Sequence, residues 1–393
     1  MLNLIKYKPT KNINVKSASK SESVQDEHIV RPKQNTIYSI QALRGVAAIL
    51  VVLFHATRFF IEHYQFAPFR GLFLFGFSGV HIFFVLSGFI ICMIHLPDVG
   101  KPHKYWIYIK KRFVRIYPAY WIILAALLPW SMFRADGSDQ EILKNIYLLN
   151  MPAHFINSVC WTLSFEVFFY IIFSFLILNR VLGSVILFCW IFGIALAHLP
   201  DMIPFLQIND HLNKNIAFMF RYVFHKYTVL FIIGLLSSYA VIRLRQTSAA
   251  IKNSAANIST LVGVVIFIST AIYCLRYKIV NWDLWSITLS FGLAGGMVMA
   301  STISDSLENF FRRRKVLASL GNASYSIYLI HFPFLMAATA YLKAHLTINS
   351  SFYITVLFII LSVITVIAGW LFYWSVERPL LKFMRNVVGM EKL

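Results

Sequence analysis

The sequence predicts an all-α protein, a polytopic transmembrane helical bundle of about ten spans. Apolar runs close to 20 residues recur along most of the 393-residue chain, and a run of roughly that length crosses a hydrocarbon core of roughly 30 Å. Only 13% of the residues are charged, where a soluble domain carries roughly 25%. Because backbone groups in lipid must be paired within their own segment, and the runs lack the alternation of a transmembrane β-barrel, we expect helices.

The apolar runs divide the chain into ten predicted spans. The third is short, and residues 141–151 form a candidate interfacial helix beside it. Counts of eight, nine or eleven spans are the alternatives, because hydropathy places each boundary only to within several residues. The predicted spans cover residues 38–60, 72–96, 117–133, 160–178, 182–199, 221–242, 257–275, 284–302, 322–342 and 352–375.

Basic residues predict the orientation of these spans. Lysine and arginine concentrate in alternate loops, including residues 101–115 and 312–315, and the cytoplasmic loops of membrane proteins collect such residues. The alternation supports an even number of spans, with the N- and C-termini cytoplasmic. We therefore expect a flexible cytoplasmic tail at residues 1–36, a transmembrane domain at residues 37–380 and a short cytoplasmic tail at residues 381–393.

Composition limits the partners that the chain can bind. The net charge of +20 would suggest nucleic acid in a soluble protein, but positively charged cytoplasmic loops explain it here. We therefore predict no nucleic-acid partner and a chain surrounded by the lipid bilayer. The four cysteines are far apart, lie in or beside apolar runs and have no metal-binding spacing. We predict no metal site.

The first predicted span contains two polar side chains on one face. Arg44 and His55 are eleven residues apart, which is about three helical turns and about 16 Å along the axis. The arginine would thus lie near the inner surface and the imidazole deep in the bilayer. Because neutral imidazole accepts a proton near physiological pH, His55 is a candidate base. The alternative is a packed histidine with a structural hydrogen bond.

Glu166 is the acidic residue that lies within a predicted span rather than in the tail, in a loop or at a helix end. A carboxylate there must be paired, be protonated or line a wet cavity. Tyr170 is its neighbour one turn later. Arg112 and Arg115 share a helix face at the predicted cytoplasmic surface, and guanidinium forks match phosphate oxygens. The alternatives are a structural ion pair for Glu166 and ordinary positive-inside charge for the arginines.

The second and fourth predicted spans contribute further candidates. The segment Gly79–Phe89 is rich in small residues, which let helices approach closely, and it contains His81 and Ser87. Packing alone is the alternative interpretation of this segment. Trp161 begins the segment that leads to Glu166.

The ninth predicted span opens with a polar stripe. Ser324, Tyr328 and His331 are spaced i, i+4 and i+7, so their side chains lie on one face of an otherwise apolar helix. Glu377 lies near the end of the last span, where a pair with a basic residue is its simplest role. The sequence Glu377-Arg378-Pro379 is expected to stop that helix.

Together these motifs resemble the acyltransferase type 3 family of membrane O-acyltransferases. Each motif is weak singly, but their order and spacing are specific, and they extend from about residue 37 to residue 380. The resemblance implies that this range is a transmembrane acyltransferase domain. The matching elements are Arg44-x10-His55, GV-x-IFFVLSGF at Gly79–Phe89, Arg112-x-x-Arg115-Ile-x-Pro, W-x-L-S-x-E at Trp161–Glu166, S-Y-x-x-Y-L-x-H-x-P at Ser324–Pro333 and Glu377-x-Pro379.

The resemblance implies transfer of an acyl group, usually acetyl, from cytoplasmic acyl-CoA to a hydroxyl of a cell-surface or lipid-linked polysaccharide. Acetyl-CoA or another acyl-CoA would be the donor substrate, and no cofactor would be bound permanently. His55 would be essential, while Arg44, Arg112 and Arg115 would serve the donor. Exopolysaccharide and O-antigen O-acetyltransferases are the members most similar in style, so we expect a multi-pass protein of the bacterial inner membrane.

The expected mechanism assigns the donor phosphates to the arginines, while His55 deprotonates the acceptor hydroxyl or carries the acyl group itself. Glu166, approaching from the outer side, would orient that base or bind the sugar. Many family members carry aspartate at the position of His81. A proton-coupled transporter or flippase of a glycan or another small substrate is the alternative, because carriers also use intramembrane Glu and His. The further cavity candidates are His81, Ser87, Trp161, Tyr328 and His331.

Overall fold

The computed structural model describes residues 37–133, 139–148, 155–202, 223–279, 284–346, 348, 350–387 and 389. Every regular element within these ranges is helical, which confirms the predicted all-α class. The predicted N-terminal tail at residues 1–36 lies outside the described residues. The first part of the predicted C-terminal tail is helical as far as Val387.

Fourteen α-helices are present in the described part of the chain, joined by 3₁₀ turns. A π turn at Tyr373–Glu377 links the last two helices. The α-helices are α1 (Tyr38–Tyr64), α2 (Ser78–His95), α3 (Tyr105–Phe133), α4 (Asp139–Tyr147), α5 (Trp161–Leu178), α6 (Arg180–Met202), α7 (Thr228–Leu244), α8 (Ala249–Arg276), α9 (Trp285–Val298), α10 (Asp305–Arg312), α11 (Lys315–Asn322), α12 (Ser324–His345), α13 (Ser351–Phe372) and α14 (Arg378–Val387).

An apolar helix occupies each of the ten predicted span positions. Within the described ranges, nine helical segments are long and apolar enough to cross a membrane, and α7, with 17 residues, is a shorter apolar helix. The protein is therefore a multi-pass helical bundle. The nine segments are Tyr38–Tyr64, Pro68–Asp98, Pro102–Pro129, Ser158–Leu178, Arg180–His198, Ala249–Arg276, Trp285–Ile303, Ser324–His345 and Ser351–Val387.

The third span starts earlier than predicted. Hydropathy predicts its start at residue 117, but α3 begins at Tyr105 and carries Arg112 and Arg115 within the helix. The prediction was wrong because it treats arginine as a surface residue, whereas one face of this helix turns its arginines toward acidic and aromatic partners inside the bundle. A helix does form where the sequence predicts an interfacial one at residues 141–151: α4 spans Asp139–Tyr147, and residues 149–151 lie outside the described residues.

The last helix does not stop where the sequence predicts. After α13, the π turn at Tyr373–Glu377 leads directly into α14, which contains Pro379. A proline ring lacks an N–H group and would contact the carbonyl four residues earlier in an α-helical turn. The wider π turn relieves that contact, so the chain continues as a helix past the proline. The same turn buries Glu377 completely.

Helix α1 lies at the centre of the bundle, in contact with α2, α11, α12 and α13. Its start is fixed by Glu308 of α10, which accepts hydrogen bonds from the backbone N–H groups of Tyr38 and Ser39 at 2.5 and 3.1 Å. The first N–H groups of a helix have no partner within it, and a carboxylate also suits the positive end of the helix dipole. This contact positions Arg44, which follows six residues later on the same helix.

Helices α2 and α7 cross at very short range. A Cβ atom built on Gly88 would lie 2.1 Å from the carbonyl oxygen of Phe231, and one built on Gly234 would lie 2.1 Å from the carbonyl oxygen of Val85. Backbone therefore packs on backbone at this crossing, as the small residues of Gly79–Phe89 predict. The crossing holds α2 in the position where its side chains line the cavities described below.

We expect Gly88→Ala to destabilise the bundle, because the added methyl group meets a backbone carbonyl that cannot turn away. The free energy of unfolding should fall by about 1–3 kcal/mol, and the midpoint of thermal unfolding in detergent should fall with it. Gly295→Ala is the matched control, since its Cβ would lie 3.7 Å from the Val85 side chain, an ordinary contact. Equal midpoints for the two variants would contradict the close crossing.

Candidate active site

Two cavities lie between the helices and divide the predicted site residues. The first, named here the arginine chamber, has a volume of about 160 Å³ and is lined in part by Arg44, Arg112, Arg115 and Glu166. The second, named the histidine chamber, has a volume of about 320 Å³ and is lined in part by His55. Because Arg44 and His55 follow one another along α1, the two chambers are offset along that helix.

Arg115 is held by a buried ion pair. Its Nη1 atom lies 2.8 Å from Oε1 of Glu377, a side chain with no exposed surface. The second carboxylate oxygen accepts a hydrogen bond from Ser326 Oγ at 2.5 Å. Both oxygens of Glu377 are thus satisfied, and the ring of Tyr325 lies 5.0 Å from the Arg115 guanidinium. The pair orients Arg115 without enclosing it, since 30% of the Arg115 side chain remains exposed.

Arg112 is positioned by a different set of side chains. Its Nη2 atom donates to His95 Nε2 at 3.3 Å, and His95 Nδ1 lies 2.9 Å from Asp98 Oδ2. The guanidinium group lies 5.7 Å from the ring of Tyr108 and 5.5 Å from the ring of Tyr170. Cation–π contacts of this kind stabilise a cation that is partly removed from water. Arg112 and Arg115 therefore reach the same chamber with separate supports.

Glu166, which is expected either to orient His55 or to bind the sugar, faces the arginine chamber and not the His55 imidazole. Its Oε1 atom accepts hydrogen bonds from Ser87 Oγ at 2.8 Å and from the hydroxyl of Tyr170. The reason lies in helix geometry, because Trp161 lines the histidine chamber and Glu166 follows about 140° further round α5. The structure therefore brings Glu166 together with the arginines and does not bring it to His55.

The histidine chamber is mostly aromatic, with charge at one face of α1. Arg58 and Glu62 follow His55 by three and seven residues on the same helix face and line the same chamber. The ring of Phe332 packs edge-on against His55 at 5.2 Å. Trp161 and Tyr227 also line the chamber, with their ring centroids 5.5 Å apart. A hollow with apolar walls and a few convergent polar groups is typical of a small-molecule binding site.

Two histidines form a hydrogen-bonded pair that defines where their protons lie. His55 Nδ1 is 3.0 Å from the carbonyl oxygen of Val51 and 3.2 Å from His331 Nε2. His331 Nδ1 is 2.6 Å from the carbonyl oxygen of Tyr328. Carbonyl oxygens only accept, so each Nδ1 carries a proton and His331 Nε2 accepts from His55 Nδ1. His55 Nε2 is then the nitrogen that keeps its lone pair.

The remaining sequence-predicted residues fall in three places. Ser87 lines the arginine chamber, while His81 and Trp161 line the histidine chamber. His81 is buried against aromatic rings, with Tyr227 at 5.4 Å. Tyr328 lines both chambers. His331 has no exposed surface and lies behind His55, so it contacts the chamber through that imidazole.

Two residues of the site were missed by sequence reasoning. Arg58 and Glu62 lie beyond residue 60, where hydropathy ends the first span, although their spacing from His55 places them on its helix face. Glu377 pairs with a basic residue, as predicted, and the structure identifies that partner as Arg115, 262 positions away in the chain. Among the described residues, no group of three or more His, Cys, Asp or Glu side chains could hold a metal ion.

The fold and the site define a polytopic membrane protein that encloses a cationic chamber beside a chamber containing a histidine pair. The chain belongs to the acyltransferase family Acyl_transf_3, because the model of that family, described as an acyltransferase domain, matches residues 37–374. This match confirms the resemblance seen in the sequence motifs. It covers all the helices that line the two chambers.

One relative is similar over a shorter range. A peptidoglycan O-acetyltransferase, OatA, from Listeria monocytogenes serovar 1/2a (strain ATCC BAA-679 / EGD-e) is 33% identical over 121 residues. The similar region is 30% of this chain and 16% of the length of that relative. No solved structure matches the chain.

Proposed function

We propose that the protein is a membrane O-acyltransferase that moves an acyl group, in the first instance acetyl, from cytoplasmic acyl-CoA to a hydroxyl of a cell-surface or lipid-linked polysaccharide. The observation that carries this proposal is the juxtaposition of three guanidinium groups with an imidazole whose Nε2 keeps its lone pair, within a chain of the acyltransferase family. The bacterial inner membrane is the proposed location.

The arginine chamber suits the phosphate groups of CoA. Arg44, Arg112 and Arg115 line it, and guanidinium forks bind phosphate oxygens bidentately. The two carboxylates nearby, Glu166 and Glu377, already accept hydrogen bonds from neighbouring side chains. Among the charged side chains that line the chamber, three guanidinium groups accompany one carboxylate, that of Glu166, and this excess of positive charge favours an anionic ligand.

The histidine chamber supplies the base for the transfer. The acceptor hydroxyl oxygen attacks the thioester carbonyl carbon, and its proton passes to His55 Nε2. The carbon–sulfur bond then breaks, and the departing thiolate takes the proton from the imidazolium. One thioester and one alcohol are thus converted into one ester and one free thiol. Val51 and His331 stabilise the imidazolium through the Nδ1 proton.

The walls of the histidine chamber suit a hydroxyl-bearing ring. Trp161, Tyr227 and Phe332 offer apolar ring faces, while Arg58 and Glu62 offer a donor and an acceptor on one helix face. The relative named above is a peptidoglycan O-acetyltransferase, which supports a glycan as the acceptor. The alternative of a proton-coupled glycan carrier uses the same intramembrane groups but needs no acyl donor.

The proposal is tested with the purified protein in lipid nanodiscs. Acetyl-CoA labelled in the acetyl group is added together with polysaccharide and lipid-linked glycan from a bacterial envelope. We expect release of free thiol and label in alkali-labile esters of the glycan, both dependent on the protein. Absence of both products, with glycan movement across reconstituted vesicles in the absence of acyl-CoA, would overturn the proposal in favour of a carrier.

We expect His331 to act as a positioning residue for His55. His331→Leu removes one of the two acceptors that His55 Nδ1 has, leaving the Val51 carbonyl oxygen, and should lower kcat up to about 100-fold with little change in donor affinity. This loss is smaller than the ~10⁴-fold loss when a triad histidine loses its orienting carboxylate, because a neutral acceptor is weaker. His331→Gln retains an acceptor oxygen and should recover part of kcat. Equal kcat for the Leu and Gln variants would contradict the positioning role.

A further inference from the structure

The two chambers meet at a partition made by two side chains. Val80 of α2 and Tyr328 of α12 are the two described residues that line both the arginine chamber and the histidine chamber. Phe83, one turn after Val80, packs edge-on against the Tyr328 ring at 5.8 Å. We use the name partition for the pair Val80 and Tyr328.

The Tyr328 ring is held in place from both sides of the partition. Its hydroxyl donates to the carbonyl oxygen of Val159 at 3.0 Å and lies 2.8 Å from Thr162 Oγ1. Val159 lines the histidine chamber, and Thr162 lines the arginine chamber. The backbone of Tyr328 also accepts the hydrogen bond from His331. The partition is therefore part of the same network that orients the histidine pair.

This arrangement has a consequence for any donor whose phosphates lie among the arginines. The phosphates belong in one chamber and His55 lines the other, so the acyl group must pass Val80 and Tyr328 to reach the imidazole. The Tyr328 ring is fixed by its two hydroxyl contacts, whereas Val80 presents two methyl groups that only pack. Val80 is therefore the partition side chain whose size can be changed without removing a hydrogen bond.

The geometry points to the partition as the determinant of acyl-group size: Val80 and Tyr328 form the opening through which the acyl group reaches His55, and they limit the largest acyl group that is transferred. This inference rests on the proposed function, because it takes acyl-CoA as the donor. Substrate discrimination by packing amounts to about 10- to 200-fold for one methylene group. An opening bounded by a valine and a fixed tyrosine should therefore separate acetyl from longer acyl groups.

The test compares acetyl-CoA, propionyl-CoA and butyryl-CoA as donors to one glycan acceptor in nanodiscs. Val80→Ala should raise the ratio of butyryl to acetyl ester about tenfold or more, because it removes two methyl groups from the opening. Val80→Leu should lower acetyl transfer while CoA binding, measured by displacement of labelled CoA, stays unchanged. Tyr328→Phe, which loses both hydroxyl contacts, should also raise the butyryl ratio.

Val46→Ala and Val46→Leu are the matched controls, since Val46 lies on α1 with 41% of its surface exposed and lines neither chamber. Each ratio is taken within one preparation, so it does not depend on the amount of folded protein. If Val80→Leu does not fold, the ratio for Val80→Ala decides the question. A butyryl ratio in Val80→Ala equal to that of the wild type and of Val46→Ala overturns the partition alone. Absence of transfer from every donor by the wild type overturns the proposed function with it.

Discussion

His55→Ala should lower the rate of ester formation at least about 100-fold while acyl-CoA still binds. The substitution removes the nitrogen that takes the hydroxyl proton, and general base catalysis contributes about 10²–10⁴ in rate. The arginines proposed to bind the donor line the other chamber, so donor affinity should change little. The measurement is the initial rate of labelled ester formation, together with displacement of labelled CoA, in nanodiscs with matched amounts of folded protein.

His63→Ala provides the matched control for this experiment. His63 is on the same helix, and its Nδ1 lies 3.0 Å from the carbonyl oxygen of Phe59, the same contact that His55 makes with Val51. It does not line either chamber. The control variant should keep the wild-type rate. Wild-type turnover by His55→Ala would remove both the base and the acyl-carrier roles from that residue.

The wild-type protein and the His55→Ala variant can also show whether His55 acts as a base or forms an acyl-histidine intermediate. If His55 carries the acyl group, one equivalent of free thiol per protein is released before any acceptor is added, because the acyl group moves from the thioester onto the imidazole. A base needs the acceptor hydroxyl and releases no thiol in that first phase. A rapid-quench measurement of thiol without acceptor, in the wild type and in His55→Ala, separates the two mechanisms.

Arg115→Ala should have two separable effects. It removes a guanidinium group from the arginine chamber, and it leaves the buried carboxylate of Glu377 without the cation of its ion pair. Loss of one partner of a buried ion pair costs about 3–5 kcal/mol of stability. The hydrogen bond that Arg115 is proposed to make to a donor phosphate is also lost. Such a bond to a charged group contributes about 1.5–3 kcal/mol to the free energy of binding, so donor affinity should fall about 10- to 150-fold.

The double variant Arg115→Ala/Glu377→Gln separates these effects. The neutral amide removes the stranded charge, so the midpoint of thermal unfolding should return toward the wild-type value. Donor affinity should stay weak, because the guanidinium group is still absent. Arg243→Ala is the control, since Arg243 also contacts a tyrosine, Tyr239, but lies outside both linings. Donor affinity equal to wild type in the double variant would rule out a donor role for Arg115.

Some features of the site follow from the sequence, and others depend on how the helices pack. Helical periodicity is enough to put Arg44 and His55 on one face of α1, because both belong to one rigid element. The expected mechanism lets Glu166 either orient His55 or bind the sugar, and the structure places that carboxylate in the other chamber, away from His55. The position of Glu166 relative to α1 depends on the rotation of α5 within the bundle, and no spacing within α5 records that rotation.

The amino-acid sequence by itself determined the class of the protein. Whether a segment crosses a membrane depends on a sum of transfer free energies over about 20 consecutive residues, which is a local property. The tertiary structure alone decided which polar groups meet. His331 reaches His55 across 276 positions and Glu377 reaches Arg115 across 262. Such contacts depend on the angle and rotation at which helices pack, and these arise from the whole bundle rather than from any one segment.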